Sequence, residues 1–243
     1  IMLEAVRRNG MVLQYIKNPP LKVAEAAIEN EARAIQFLPD PPADLAKKAI
    51  CKSWANLEYI HNPSRKLITT ALSYSGWAIK YVRDPDEALQ LEAVKKNFDA
   101  VKYIDNPSQE IQEAAAAQSY AALRYIDDPV FSAEALAVKN DEQALRFIKN
   151  LTTEKFISLF KINSLILKYM PPNFAIAVDA VEDALRQVIG SEEVDEKYIR
   201  DLLNNHSIGR TVSTMPIDVI ALIDEYGSPK ARRITVDEKL KFT

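Results

Sequence analysis

The apolar and polar positions of this chain recur with a period of 22 residues. One aromatic position marks the register, and it holds Tyr15, Phe37, Tyr59, Tyr81, Tyr103, Tyr125, Phe147 and Tyr169. A proline follows four places after each of the first six of these aromatics. Such a register indicates a tandem repeat. Counted from the proline as position zero, the repeats span 19–40, 41–62, 63–84, 85–106, 107–128, 129–150 and 151–172, after a truncated repeat 1–18.

The residues around each proline predict a first helix. Asn or Asp precedes every one of these prolines, and both are strong N-caps, while proline is favoured at the first helical position. Glu87 lies three residues after Asp84, and Gln109 three after Asn106, which is the spacing of a capping box. The apolar positions are four, eight and nine, and position eight is alanine in every repeat through Ala137. We therefore expect a helix to begin at each proline and to approach its neighbours closely.

Position twelve predicts a second, shorter helix, because it holds mostly residues that cap helices. The buried positions of this helix are fifteen, sixteen, eighteen and nineteen, as in Ala122, Leu123, Tyr125 and Ile126. We predict about two turns, partly of 3₁₀ type, ending where the next proline approaches. Helices this short are marginal alone and persist only when stacked. The predicted fold is therefore all-α, an α-solenoid of about seven to eight two-helix repeats.

The repeat pattern decays near the C-terminus of the chain. Helices are predicted over 174–189, over 192–205 with Ser191 as N-cap, and over 216–226, followed by a tail, 232–242, that reads as extended or disordered. The open end of a repeat stack needs a polar cover. The predicted organisation is thus a solenoid over 1–172 and a helical capping module over 173–243.

One stretch of the chain resembles a known repeat family. The stretch comprises Pro107-Ser108-Gln109-Glu110-Ile111-Gln112, Ala114-Ala115 and Ala121-Ala122-Leu123-Arg124-Tyr125-Ile126. It is similar to short tandem helical repeats of unknown function in bacteriophage and bacterial proteins, and loosely to the leucine-rich-repeat variant. The resemblance covers roughly residues 1–170. It implies an α-solenoid and a phage or prophage origin, but no activity and no catalytic residue.

Composition and charge narrow the function classes. The chain is 48% hydrophobic and 27% charged with a net charge of −3, so no bulk attraction to nucleic acid or anionic membrane is expected. Cys51 is the single cysteine, which excludes an intrachain disulfide and agrees with a reducing cytoplasm, that of the host for a phage protein. No apolar run approaches the roughly 20 residues of a membrane span. Because Ile1 falls inside a repeat, we expect further chain upstream. The alternative is a tag residue before a genuine start at Met2.

Positions thirteen and seventeen carry the candidate binding residues. They are four residues apart, so they share one face if the second helix is α-helical. Neither is one of the buried positions of that helix. Exposed aromatics and arginines are favoured at binding hot spots. With repeats roughly 10 Å apart, the cations from Lys80 to Lys168 would form a basic ridge on the order of 40 Å long. The predicted binding residues are Trp54, Trp77, Lys80, Phe98, Lys102, Tyr120, Arg124, Arg146 and Lys168.

Other interpretations of this face stay open. It could be a solvated face whose cations pair with nearby acids, such as Arg146 with Glu142. Basic charge with interleaved aromatics also suits single-stranded nucleic acid, although Asp105, Asp127 and Asp128 lie close by in the sequence. The aromatic column at position eighteen is predicted to pack in the core, with its hydroxyls at a wet edge.

The sequence contains no constellation typical of an enzyme. Its two histidines, His61 and His206, lack partners at metal-ligand spacing, and its five glycines form no phosphate loop. The acidic run at 192–196 reads as a solvated first helical turn, and 208–211 is too short to carry chemistry. We therefore predict a non-enzymatic interaction module that binds a protein partner and needs no cofactor, metal or membrane. Nucleic-acid binding, or an accessory role in a larger enzyme whose N-terminal part is absent, are the alternatives.

Overall fold

The structure is a computed structural model that describes residues 1–209 and 215–240. Within these residues the chain forms twelve α-helices and eight 3₁₀ helices, with one isolated β-bridge between Ile208 and Met215. The predicted all-α repeat solenoid is confirmed. Of the polar segment 208–211, residues 210 and 211 lie outside the described residues. The chain divides into two compact units, residues 1–118 and 119–243.

Each repeat consists of one α-helix followed by one 3₁₀ helix. The α-helices are α1 (Met2–Arg8), α2 (Leu21–Asn30), α3 (Ala43–Lys52), α4 (Arg65–Tyr74), α5 (Glu87–Lys96), α6 (Gln109–Gln118), α7 (Phe131–Asn140) and α8 (Thr153–Phe160). The 3₁₀ helices are η1 (Gly10–Tyr15), η2 (Ala32–Phe37), η3 (Trp54–Tyr59), η4 (Gly76–Tyr81), η5 (Phe98–Tyr103), η6 (Tyr120–Tyr125), η7 (Glu142–Phe147) and η8 (Ser164–Tyr169).

The second helix of each repeat is 3₁₀ over its whole six-residue length, where only part of it was predicted to be. Position twelve is its N-cap, as predicted. In η6, for example, the Ser119 hydroxyl accepts the Ala121 N–H at 3.2 Å. Position nineteen follows the helix in an extended conformation, and its apolar side chain is buried in Ile60, Ile104 and Ile126.

The first helix begins two residues later than predicted. The residue before the proline is not the N-cap of this helix. It adopts a left-handed turn, with φ between 46° and 48°, at Asn18, Asn62, Asp84 and Asn106, and Asn150 before Leu151 does the same with φ 52°. Asn and Asp visit this region more readily than other side chains. In α5 the N-cap is Asp86, whose carboxylate accepts the Leu89 N–H at 2.9 Å. The predicted capping boxes are wrong, because Glu87 and Gln109 are the first residues of their helices.

Neighbouring repeats pack very closely at the alanine of position eight, as predicted. In the first compact unit, a β-carbon added at Gly76 would lie 2.1 Å from the Ala93 carbonyl oxygen, and one at Gly10 would lie 2.3 Å from that of Ala27. The Gly76 N–H also donates to Asn97 Oδ1 at 2.8 Å. The backbones of successive repeats therefore touch directly at these steps.

Four further α-helices follow the repeats in the second compact unit. They are α9 (Val178–Ile189), α10 (Glu196–Leu203), α11 (Val219–Tyr226) and α12 (Pro229–Leu240). Asp195, rather than Ser191, caps α10 by accepting the Lys197 N–H at 2.9 Å. Ser191 instead closes a turn, where its hydroxyl accepts the Glu193 N–H at 3.2 Å.

The prediction of an extended or disordered tail is wrong for the described residues, which form α12. Ser228 caps this helix and Pro229 begins it, a combination favoured at helix starts. Its buried positions are Ala231, Ile234 and Thr235, and Glu238 pairs with Arg200 of α10. The helical spacing was hidden in the sequence because two of these four inward positions are polar. Residues 241 and 242 of the predicted tail lie outside the described residues.

Helices α9 and α10 pack on the last repeat. The buried Tyr198 hydroxyl donates to the Phe160 carbonyl at 3.1 Å, and Asn205 Nδ2 donates to the Ser164 carbonyl at 2.9 Å. The Tyr198 bond satisfies a backbone acceptor at the end of α8, where the last carbonyls of an α-helix lack partners within the helix.

A buried glutamate replaces glutamine at position five of one repeat. Gln90 and Gln112 donate to the carbonyls of Pro85 and Pro107, at 2.8 Å and 2.9 Å. The equivalent Glu134 cannot donate when ionised, and it pairs with Lys155 Nζ at 2.9 Å instead. Burial raises the pKa of Glu134, and Lys155 offsets this rise only in part.

We predict that Glu134→Gln stabilises the protein at neutral pH by about 1 kcal/mol, because the amide can bond the Pro129 carbonyl. A carboxyl group whose pKa rises on folding stabilises the protein below its ordinary pKa of 4.5. This contribution is lost as the pH rises through the pKa of the folded state. The advantage of the variant should therefore shrink in acid. Urea unfolding at several pH values measures this. Gln90→Glu should show the opposite effect, because Ile111 occupies the position equivalent to Lys155 and cannot pair with the new carboxylate. A less stable Glu134→Gln at neutral pH would contradict the prediction.

We also predict that Gly76→Ala destabilises the protein by about 1–3 kcal/mol, because the added methyl group collides with a backbone oxygen. Thermal unfolding followed by circular dichroism measures the loss. Gly209→Ala is the matched control, since nothing lies within 4 Å of a β-carbon there. Equal effects of the two substitutions would argue against close packing at η4.

Candidate functional site

The period of the 3₁₀ helix determines which side chains share a face. It has three residues per turn, so positions fourteen and seventeen point the same way, whereas position thirteen aligns with the buried position sixteen. The predicted pairing of thirteen with seventeen, which assumed α-helical spacing, is therefore wrong. Trp54, Phe98 and Tyr120 at position thirteen are half-buried, as expected from this geometry. We call the surface formed by positions fourteen and seventeen, with the ring at eighteen, the outer 3₁₀ face.

Most of the predicted cations lie on this face. The exposed predicted residues are Trp77, Lys80, Lys102, Arg124, Arg146 and Lys168. Of these, Trp77 occupies position fourteen, and its side chain is 39% exposed. The first three belong to the first compact unit and the last three to the second.

Three aromatic rings of η3 and η4 form a cluster in the first compact unit. The Trp54 ring lies 6.5 Å from the Trp77 ring, edge to face, and 6.3 Å from the Tyr81 ring. Lys80 Nζ lies 4.5 Å from the centre of the Tyr81 ring and 5.9 Å from that of Trp54. Aromatic and cation–π contacts at these distances are favourable. The Tyr81 hydroxyl raises the pKa of Lys80.

Asp99 fixes the outer edge of this cluster. Its carboxylate accepts the Trp77 indole N–H at 2.7 Å and an N–H of Lys102 at 3.0 Å. Burial raises the pKa of Asp99, but these two hydrogen bonds outweigh it and leave the pKa below its ordinary value. Asp99 in turn raises the pKa of Lys102, whose Nζ lies 5.2 Å from the centre of the Trp77 ring. The indole of one repeat is thus held by the next.

In the second compact unit the cations of the outer 3₁₀ face are arginines. The Arg124 guanidinium lies 5.2 Å from the centre of the Phe147 ring, and that of Arg146 lies 4.6 Å from that of Tyr169. The Tyr120 ring lies 5.8 Å from the Phe147 ring. Each arginine therefore covers the aromatic residue of the following repeat.

The predicted ion pair between Glu142 and Arg146 does not form. Glu142 instead lies 3.9 Å from Lys168 Nζ. Among the described residues, no carboxylate oxygen lies within 4.0 Å of Arg124, Arg146 or Lys80. The alternative in which acidic neighbours neutralise the face applies to Lys102 and Lys168 only.

The aromatic column at position eighteen lies at the edge of the core. Phe37, Tyr59 and Tyr81 pack against the core, whereas Tyr15 is 79% exposed. The prediction of core packing is thus wrong for Tyr15 and incomplete for the others, since Tyr103 and Tyr125 are also more than a third exposed. Their ring faces support the cations, a role that the sequence interpretation missed. The signal was present, because a cation directly precedes the aromatic in five successive repeats, at Lys80, Lys102, Arg124, Arg146 and Lys168.

The opposite, α-helical side of the repeats offers less defined chemistry. A groove of about 720 Å³ along α2 and α3 is lined by charges of both signs and by the exposed Cys51. A smaller cavity of about 160 Å³ near α10 and α11 is lined mainly by aliphatic side chains. Within the described part of the chain, no group of three His, Cys, Asp or Glu side chains could hold a metal ion. None of the described helices combines the length and hydrophobicity that crossing a membrane requires.

Comparisons with protein-family models, with curated proteins and with solved structures find no match to this chain.

We predict that Asp99→Asn lowers the stability by about 1 kcal/mol at neutral pH, because the charge-assisted bond to Lys102 is lost while the indole bond remains possible. A carboxylate with a lowered pKa stabilises above its ordinary value of 3.8 and loses this contribution as pH falls. The variant and the parent should therefore converge in acid. Fluorescence measures the change directly, since both tryptophans of the chain, Trp54 and Trp77, lie in the cluster. Asp44→Asn on α3 serves as the control.

Proposed function

We propose that the chain is a non-enzymatic interaction module that binds a protein partner through the outer 3₁₀ face. The observation that carries this proposal is the exposed Trp77, which is fixed by Asp99 and flanked by Trp54 and Lys80. Tryptophan, tyrosine and arginine dominate binding hot spots. A side chain already held in place also loses little conformational entropy when a partner arrives.

The charge balance favours a protein over nucleic acid. Residues 1–118 contain 15 Lys and Arg against 15 Asp and Glu, and residues 119–243 contain 16 against 19. Binding to phosphates needs a clear positive excess, because its affinity comes largely from counterion release. Asp99 moreover neutralises one of the two lysines at the tryptophan cluster. The stacked cations Lys80 and Arg124 keep nucleic acid as the second candidate, since such side chains can also stack on bases.

Three further parts of the proposal rest on the sequence alone. They are the absence of catalysis, the absence of any cofactor and the phage setting that the family resemblance implies. In a phage setting the partner would be a host factor, a defence component or another virion protein. Fold alone does not determine function, so the test is directed at the surface.

A displayed library of random peptides, selected on the parent protein, tests the surface. We expect enriched peptides to lose about tenfold or more in affinity with Trp77→Ala and with Lys80→Glu, as hot-spot substitutions do. Tyr74→Ala is the matched control, because Tyr74 is an aromatic residue that is 52% exposed on α4, away from this face. Melting temperatures confirm that each variant folds.

Two results would contradict the proposal. In the first, the selected peptides bind Trp77→Ala as well as the parent, or lose as much affinity with Tyr74→Ala. In the second, oligothymidylate binds more tightly than any peptide and its affinity falls steeply with salt, which would favour the nucleic-acid candidate.

A further inference from the structure

Arg124 and Arg146 form a repeated pair of stacked guanidinium groups in the second compact unit. They occupy position seventeen of η6 and η7, two 3₁₀ helices that pack side by side. Each guanidinium covers the aromatic ring of the repeat that follows it, at 5.2 Å and 4.6 Å. A guanidinium that stacks on a ring keeps the N–H groups at its rim available for planar, bidentate bonds.

Three acidic side chains near this pair have other partners. Asp127 lies 3.7 Å from Lys149 Nζ, and Glu142 lies 3.9 Å from Lys168 Nζ. The Asp141 carboxylate accepts the Gln143 N–H at 2.8 Å as the N-cap of η7. In the described residues, the two arginines are therefore cations that contact aromatic rings but form no ion pair.

From these observations we infer that Arg124 and Arg146 are a two-point site for carboxylates of an acidic segment in the protein partner. This inference rests on the proposed function and assigns the chemistry of the partner. Arginine is suited to this task, because its fork matches a carboxylate with two parallel hydrogen bonds. Stacking on Phe147 and Tyr169 orients both forks before binding, which reduces the entropy lost in the complex.

The spacing of the two arginines suggests the form of the segment. Neighbouring packed helices lie about 8–10 Å apart. A polyproline II segment rises about 3.1 Å per residue with three residues per turn, so acidic side chains three residues apart point the same way at about 9 Å. A segment of this form can place one carboxylate on each arginine.

The same observations disfavour a polyphosphate as the occupant. The compact unit that holds the pair has three more acidic than basic residues. Two isolated cations in such surroundings suit two localised charges better than a continuous phosphate backbone. Oligothymidylate and phosphopeptide binding are therefore outcomes that the experiment must distinguish.

The test uses the full chain and a proline-rich peptide with two glutamates three residues apart. Binding is followed by NMR through the arginine Nε–Hε signals, which report on the guanidinium groups themselves. We expect a saturable shift of the Arg124 and Arg146 signals and about a tenfold loss of affinity with Arg124→Gln or Arg146→Gln. Arg124→Lys should not restore binding, because an ammonium keeps the charge but lacks the planar fork.

Three controls make the result specific. A twin peptide with glutamines in place of the glutamates should not bind. Lys139→Gln, which removes one exposed positive charge from α7, should leave the affinity unchanged. Lengthening the spacing between the glutamates by one residue should weaken binding, because the two carboxylates then point in different directions.

The inference is overturned if the glutamine twin binds equally or if Lys139→Gln costs as much as Arg124→Gln. The inference would also be overturned if oligothymidylate or a phosphopeptide bound more tightly and shifted the same two arginine signals. The failures of the two proposals can be told apart. If display-selected peptides depend on Trp77 but bind Arg124→Gln normally, and the diglutamate peptide does not bind, this inference fails while the protein-binding function stands.

Discussion

The repeats depend on burial between neighbouring elements, because none of their helices is long enough to be stable by itself. The α-helices of the repeats have at most ten residues and the 3₁₀ helices have six, and isolated helices shorter than about 12–15 residues are marginal in water. Stability therefore comes from the apolar positions that each helix buries against the next, such as Ala122 and Leu123 in η6. This requirement explains why position eight stays alanine through Ala137 and why glycine appears at 10 and 76, where backbone meets backbone.

The same requirement creates the surface that we assign to binding. Once positions fifteen and sixteen are buried, the three-residue turn of a 3₁₀ helix brings positions fourteen and seventeen outward together. Cations at seventeen then lie over aromatic rings at eighteen, which are too large to be covered completely by the core. A stacked cation loses mobility during folding rather than during binding. The face is therefore ordered before a partner arrives, and this ordering is what a recognition surface needs.

The period of the chain predicted the repeat and both of its helices, because register and apolar spacing follow directly from the sequence. Features that depend on backbone geometry were not predictable in the same way. Asn106 before Pro107 is compatible with an N-cap and with a left-handed turn, and only the path of the chain decides between them. Trp54 at position thirteen and Trp77 at position fourteen differ in exposure, because the second helix of each repeat is 3₁₀ rather than α. The tail helix α12 escaped prediction because Glu238 faces inward toward Arg200, a partner 38 residues away.

Differences between repeats, rather than their shared pattern, carry the chemistry of the face. In η5, Asp99 binds both an indole and an ammonium, so the tryptophan cluster is neutralised and presents mainly ring surface and one lysine. In η6 and η7, position fourteen holds Ala121 and Gln143, neither of which can neutralise the arginine three residues later. The shared pattern thus places a cation on a ring in each of these repeats, and the residue at position fourteen decides whether that cation is neutralised. The framework of the repeats is thus separate from the surface residues that vary between them.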